Sequence, residues 1–204
     1  MMKNKKNENT ESQILEAAKS IFQIKGMDGA RMQEIANEAG INKAMLHYYY
    51  RSKQLLFEAV FINAFSLLAP QINAILNDDS SIENKIRNFS SNYISFIEQH
   101  PYLPNFIIQE LNRNPDFMLK MKGNNGFPNL EKFKKQVALE VKNGTIKNVN
   151  AAQLFINILA LNVFPFIAKP LIQGLIAVEE DGFQQLIEDR KTEVADFIIN
   201  SIKK

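Results

Sequence analysis

Arg31-Met-Gln-Glu-Ile-Ala-Asn-Glu-Ala-Gly-Ile-Asn-Lys-Ala-Met-Leu-His-Tyr-Tyr-Tyr-Arg-Ser-Lys53 is the stretch that decides the fold. It reads as two short helices joined by a sharp turn. In the first, about Met32–Ala39, Ile35, Ala36 and Ala39 share one face. Gly40 follows, where a helix end wants a residue free to take a positive φ. Ile41 can plug the corner, and Asn42 is a good N-cap for the second helix, about Lys43–Tyr50. On that helix Leu46, Tyr49 and Tyr50 fall on one face, whereas Lys43, Ala44, His47 and Tyr48 fall on the other. A small residue at the crossing, a permissive turn and an apolar anchor are what a helix-turn-helix needs. An ordinary αα-corner in a helical protein would explain any one of them. It would not explain a polar, basic outward face, which favours DNA recognition.

Residues 10–61 resemble the DNA-binding domain of TetR-family transcriptional regulators. The resemblance is carried by Ile14-Leu15-Glu16-Ala17-Ala18, Phe22, Gly26, Glu34-Ile35-Ala36, Ala39-Gly40-Ile41, Leu46-His47-Tyr48-Tyr49-Tyr50, Ser52-Lys53 and Leu55-Leu56. It implies DNA contacts from Arg31, Gln33, Asn42, Lys43, Ala44, Met45, His47, Tyr48 and Lys53, with Lys53 on a backbone phosphate. Three positions depart from the family pattern. Arg31 stands where Thr or Ser usually caps the helix, and it can reach phosphate only by charge. His47 stands where Tyr usually touches phosphate, and can still donate a hydrogen bond there. Tyr50 replaces the usual Phe.

The 204 residues carry 24 Lys+Arg against 22 Asp+Glu, so the chain as a whole is no polycation. The distribution is uneven. Residues 1–53 hold nine Lys/Arg and six Asp/Glu, leaving fifteen and sixteen for the rest, so the positive excess sits with the helix-turn-helix. A hydrophobic fraction of 46% is ample for a core, and the absence of Cys removes disulfides and thiolate chemistry. The polar, lysine-bearing start Met1–Asn9 is no signal peptide; it reads as disordered, with a weak phosphate contribution on DNA. The apolar stretch Ala151–Val178 is broken by polar residues and two prolines, which suits a buried or interface helix better than a membrane span. The expected location is cytoplasmic, with no membrane partner.

The fold class expected is all-α: a three-helix DNA-binding domain with its tail over residues 1–53, then a larger ligand-binding and dimerisation domain over 54–204. Thr10 and Gln13 match a capping box for the first helix. Ser52 caps a fourth helix running to about Leu76, which Pro70 should kink. Ser80 and Glu83 form a second capping box, Gly123–Pro128 is a loop, and Gly144 stops a helix over 130–143. Asn150 caps a single helix Ala151–Leu175 that is apolar nearly all round, and a last helix covers about Glu180–Lys203. A helix without a solvent face must be covered on every side. A homodimer with Leu161, Ile167, Leu171, Leu186, Val194 and Phe197 at its interface meets that need.

No metal, cofactor or catalytic site is expected. Only two His are present, His47 and His100, with no Glu-x-x-His and no glycine-rich phosphate loop. The family resemblance implies a mostly apolar effector cavity lined by Tyr93, Phe96, Phe106, Gln109, Met118, Met121, Phe133, Phe155, Asn162 and Phe166; by spacing alone these aromatics would be packed core. The reading is a dimeric, ligand-responsive regulator, chiefly a repressor, released from a pseudo-palindromic DNA operator by a small apolar or amphipathic effector. The rival readings are a helical partner-binding scaffold, which Arg31 and His47 would support, and an enzyme using carboxylates such as Glu98 or Glu110.

Overall fold

A computed structural model describes residues 2–122 and 127–204 and, within them, eleven helices. They are α1 (Met2–Gly29), α2 (Met32–Glu38), α3 (Lys43–Tyr49), α4 (Lys53–Asn77), α5 (Ile82–Gln99), α6 (Leu103–Arg113), α7 (Asp116–Lys122), α8 (Glu131–Lys142), α9 (Ala151–Ile167), α10 (Lys169–Ile176) and α11 (Glu180–Ile202). Among the described residues there is no β-strand, only an isolated bridge between Ile146 and Lys203. The chain divides into two compact units, the first ending at Ser66 and the second starting at Leu67. The division therefore lies inside α4 rather than at 53/54. The first turns of α4 bury Leu56, Phe57, Val60, Phe61 and Ala64, so they belong to the core of the first unit.

In that unit α1 breaks at Gly26, whose φ of 64° ends the helical path. Ile14, Ala17, Ala18 and Phe22 are buried, and Phe22 meets the Phe57 ring edge-to-face at 4.9 Å. The helix begins at Met2. Thr10 therefore lies inside it and is no N-cap, and the backbone of 2–9 continues α1 instead of forming a disordered tail.

In the second unit α5, α9 and α11 pack together, with α8 against α5 and α9 and α6 against α9. Ile94, Phe183 and Ile187 form one buried cluster, covered by Phe166, Ile172, Val178 and Leu186. The cap of α5 is Ser81, not Ser80: Ser81 Oγ accepts from the Asn84 N–H at 3.3 Å, while Ser80 Oγ donates to Asp78. Gly144, at φ 76°, ends α8 as expected. Residues 123–126 of the expected loop lie outside the described residues.

Prolines shape the apolar stretch, which is not one helix. It breaks at Ala168, and α9 and α10 meet at 78°. Pro170 lacks the N–H that would bond the Phe166 carbonyl, and its ring crowds that carbonyl. Pro165 is tolerated inside α9. It strands the carbonyl of Leu161, four residues back, and Arg190 of α11 supplies the missing donor at 2.7 Å. Pro70 likewise sits within α4, which continues through it as a single helix.

Candidate nucleic-acid interface

The turn between α2 and α3 is built by three adjacent residues. Ala39 ends α2, and Gly40 takes φ 66°. The Gly40 N–H donates to the Asn37 carbonyl (3.1 Å) and the Ile41 N–H to the Ala36 carbonyl (3.0 Å), the paired bonds of a Schellman motif. Asn42 then caps α3, its Oδ1 accepting from the Met45 N–H at 2.7 Å. The two helices are thus joined with their end groups satisfied and no room for slack. Ile35 and Ala36 of α2 and Leu46 of α3 are fully buried, which fixes the back of α3 against the unit.

With Leu46 inward, Lys43, Ala44, Met45, His47 and Tyr48 are exposed, Tyr48 to 80%. An apolar-edged, basic helix face this open has no packing role in the chain. Gln33 and Arg31 are exposed on the α2 side, Gln33 donating to Asn37 Oδ1 at 2.9 Å. Arg31 sits at the N-cap of α2 without a side-chain capping bond, as its chemistry requires. Glu34 is held below the ordinary carboxyl pKa by its hydrogen bond with Lys25, 3.1 Å away, so the acid nearest Arg31 already has a cation.

Two side chains make bonds within the unit that the sequence reading did not include. Lys53 Nζ donates to the carbonyls of Ala30 (3.0 Å) and Asp28 (3.2 Å), so two of its three donors hold the end of α1 rather than facing outward. A cation at a helix C-terminus is favourable, which reverses the poor placement of Lys at the start of α4. Tyr50 donates its hydroxyl to Glu11 Oε1 at 3.1 Å, tying the end of α3 to α1. Burial and that bond raise the phenol's pKa and keep it a donor. This gives the replacement of Phe by Tyr a structural reason. No sequence signal links residues 23 to 39 positions apart, so neither bond was readable.

The remaining site residues fall in the second unit. Phe133 and Phe155 meet at 6.2 Å, Tyr93 stacks on Phe89 at 4.7 Å, and Phe96 lies 4.8 Å from the His100 ring. Phe106 is buried, Met118 half-buried and Gln109 exposed; the Met121 side chain lies outside the described residues. Phe166 packs in the Ile94 cluster. Asn162 is fully buried, its Nδ2 bonded to the Ile158 carbonyl (2.7 Å) and its Oδ1 unpartnered. Of the expected interface, Phe197 and Leu171 are exposed, and Leu161 and Ile167 half-buried. Leu186 helps cover the Ile94 cluster. Val194, at 4% exposure, is buried within its own chain. Ile156, Phe164, Leu175 and Ile176 are further exposed apolar residues on α9 and α10, beyond the six named for the interface. Among the described residues no group of His, Asp and Glu could hold a metal ion.

Residues 14–60, which span this helix-turn-helix and its supports, match the family model of bacterial regulatory proteins, tetR family. Residues 14–60 thus form a TetR-family DNA-binding domain. That family is one of regulators, not of enzymes. The nucleoid occlusion factor SlmA of Haemophilus influenzae is 28% identical over 79 residues, 39% of this chain and 36% of SlmA, so the match spans about a third of that relative. The fold extends further than the sequence likeness. A crystal structure of a HlyIIR mutant protein aligns over 97% of this chain and 99% of its own, with a TM-score of 0.61 at 24% identity. The crystal structure of AibR in complex with isovaleryl coenzyme A and operator DNA aligns over 77% and 85%, with a TM-score of 0.61 at 18% identity.

Proposed function

We propose that this TetR-family protein binds a pseudo-palindromic DNA operator as a homodimer, chiefly as a repressor, and that a small apolar or amphipathic effector releases it. The observation that carries the reading is the outward face of α3, with Lys43, Ala44, Met45, His47 and Tyr48 exposed around a buried Leu46 anchor. Lys43 can pair with guanine O6/N7, Ala44 can touch a thymine methyl, and Arg31 and His47 can take phosphates. The exposed Ile156, Phe164, Leu171, Leu175, Ile176 and Phe197 support a second copy as partner. Two copies on one two-fold axis require half-sites about 34–36 Å apart or a multiple. The effector is assigned to the second unit, which holds the expected aromatics; AibR, of similar fold and crystallised with isovaleryl coenzyme A and operator DNA, supports an amphipathic molecule. Repression follows from release: an effector that favours a conformation unable to match both half-sites empties the operator. A cytoplasmic location fits a DNA partner. Helix α4 is long and apolar enough to cross a membrane, but we read it as a core helix, with 39% of its most apolar window buried in the protein.

The test is fluorescence anisotropy of the full chain on the DNA flanking its own gene, at two salt concentrations, with a scrambled duplex as competitor. Sequence-selective binding that weakens steeply with salt supports the reading. Equal affinity for both duplexes would favour the partner-binding scaffold instead.

A further inference from the structure

A cavity of about 140 Å³ lies between the second half of α4 and α5, lined by Gln71, Ala74, Ile75, Asp78, Lys85 and Tyr93 among others. Its chemistry differs from the rest of the unit. Lys85 is fully buried, and its ammonium donates to the Asp78 carbonyl (2.6 Å) and pairs with Asp78 Oδ1 (2.8 Å). That leaves one of its three N–H groups unassigned. The same Asp78 Oδ1 accepts from the Ser80 N–H (2.9 Å) and hydroxyl (2.7 Å), so the carboxylate is held in place while Oδ2 accepts nothing among the described residues. Tyr93 is buried as a residue and lines the cavity, and its hydroxyl has no hydrogen-bond partner among the described residues; nor have the carboxamides of Gln71, Asn88 and Asn92, which also line it. Burial keeps the phenol protonated and hence a donor. The hydroxyl is therefore a donor available to whatever occupies the cavity.

The charge of the site selects its occupant. Lys85 and Asp78 cancel, so a lone anion or cation would bring an unmatched charge into a confined space. A zwitterion brings none. Its carboxylate can accept from the Tyr93 hydroxyl, with the buried Lys85 ammonium as the nearby positive charge, and its ammonium can donate to Asp78 Oδ2. The carboxamides are left for a polar side chain, and Ala74, Ile75 and Phe89 for its carbon atoms. The volume is well below the about 300–1,000 Å³ of sites that hold drug-sized ligands. We propose that this groove is a binding site for a small free α-amino acid. It is separate from the apolar effector: of the residues expected to line that cavity, only Tyr93 also lines this one.

The experiment is thermal melting of the full chain with each standard amino acid at millimolar concentration, followed by calorimetric titration of any that raise the melting temperature. A ligand that binds only the folded state must stabilise it. L-Alanine, L-lactate and L-alaninamide then separate the charges: the site requires both, so lactate and alaninamide should bind at least about tenfold more weakly than the amino acid. Tyr93→Phe keeps the ring and the fold, and Asp78→Asn removes the charge of an accessible side chain. Each should weaken the amino acid by about tenfold or more. The idea fails if no amino acid stabilises the protein. It fails equally if lactate binds as tightly as alanine, or if neither variant changes the affinity. None of these readouts involves DNA, so the operator reading stands or falls separately.

Discussion

Replacing Lys53 by Met separates two roles that a lysine at the start of α4 could play. Met keeps an apolar stem of similar length and removes only the ammonium. In the structure that ammonium holds two backbone carbonyls, at 3.0 Å in a half-buried setting and at 3.2 Å in an exposed one. Hydrogen bonds to charged groups contribute about 1.5–3 kcal/mol each, and the exposed one counts for less, so the loss should come to roughly 2 kcal/mol. For a chain of this size that is a fall of about 4–8 °C in melting temperature. DNA affinity should drop as well, because the end of α1 and the start of α4 frame the helix-turn-helix. The slope of log affinity against log salt should not change, since no phosphate contact is lost. Thermal melts followed by circular dichroism, together with anisotropy titrations over a range of salt, measure both. An unchanged melting temperature with a slope reduced by about 0.9 would place Lys53 on a phosphate and refute the reasoning.

Four further outcomes are expected. Lys43→Ala should relax base preference at one position of each half-site, costing about 1–3 kcal/mol there and little elsewhere, as read by selection from a randomised duplex pool. Gly40→Ala meets no neighbour within 4 Å but must hold φ 66°, so chemical denaturation should show a loss of about 1–2 kcal/mol from strain alone. Phe197→Glu changes a side chain that is 67% exposed, so sedimentation should show dissociation of a dimer into folded monomers, whereas Val194→Glu should unfold the chain itself. Burial raises the Asp78 pKa, but hydrogen bonds from Lys85 and Ser80 outweigh it and hold the carboxyl below its ordinary 3.8. The stability this carboxylate confers is therefore complete above its unfolded pKa and lost as pH falls through the lower folded one; Asp78→Asn should flatten the acid limb of a stability profile below about pH 4.

The helix-turn-helix was legible because its determinants are local. Ala36, Gly40, Asn42 and Leu46 lie within eleven consecutive residues, and each acts on backbone a few positions away. Helix ends were less secure wherever neighbours could do the same work. Ser81 rather than Ser80 caps α5, because Ser80 is drawn to Asp78. The partners of Lys53 and Tyr50 come from α1 and the residue just past its end, and were invisible to spacing. On α11 a broad apolar stripe marked Val194 and Phe197 alike; only the packing decides that one faces the chain's own core and the other does not. The pocket chemistry was harder still. Tyr93 was legible as an apolar-face aromatic, but the buried Lys85 looked like any lysine on an amphipathic helix.

Pro165 and Arg190 also bear on how this chain can change over time. A proline within α9 is tolerable because a guanidinium from α11 reaches the carbonyl it strands. Arg190 is not a free choice while Pro165 is present. Losing Arg190 while Pro165 remains leaves the Leu161 carbonyl without a donor, whereas replacing Pro165 first restores the helix's own bond and frees Arg190 to vary. The order of substitution is thus one-way, and among descendants of this sequence the proline should disappear before the arginine does.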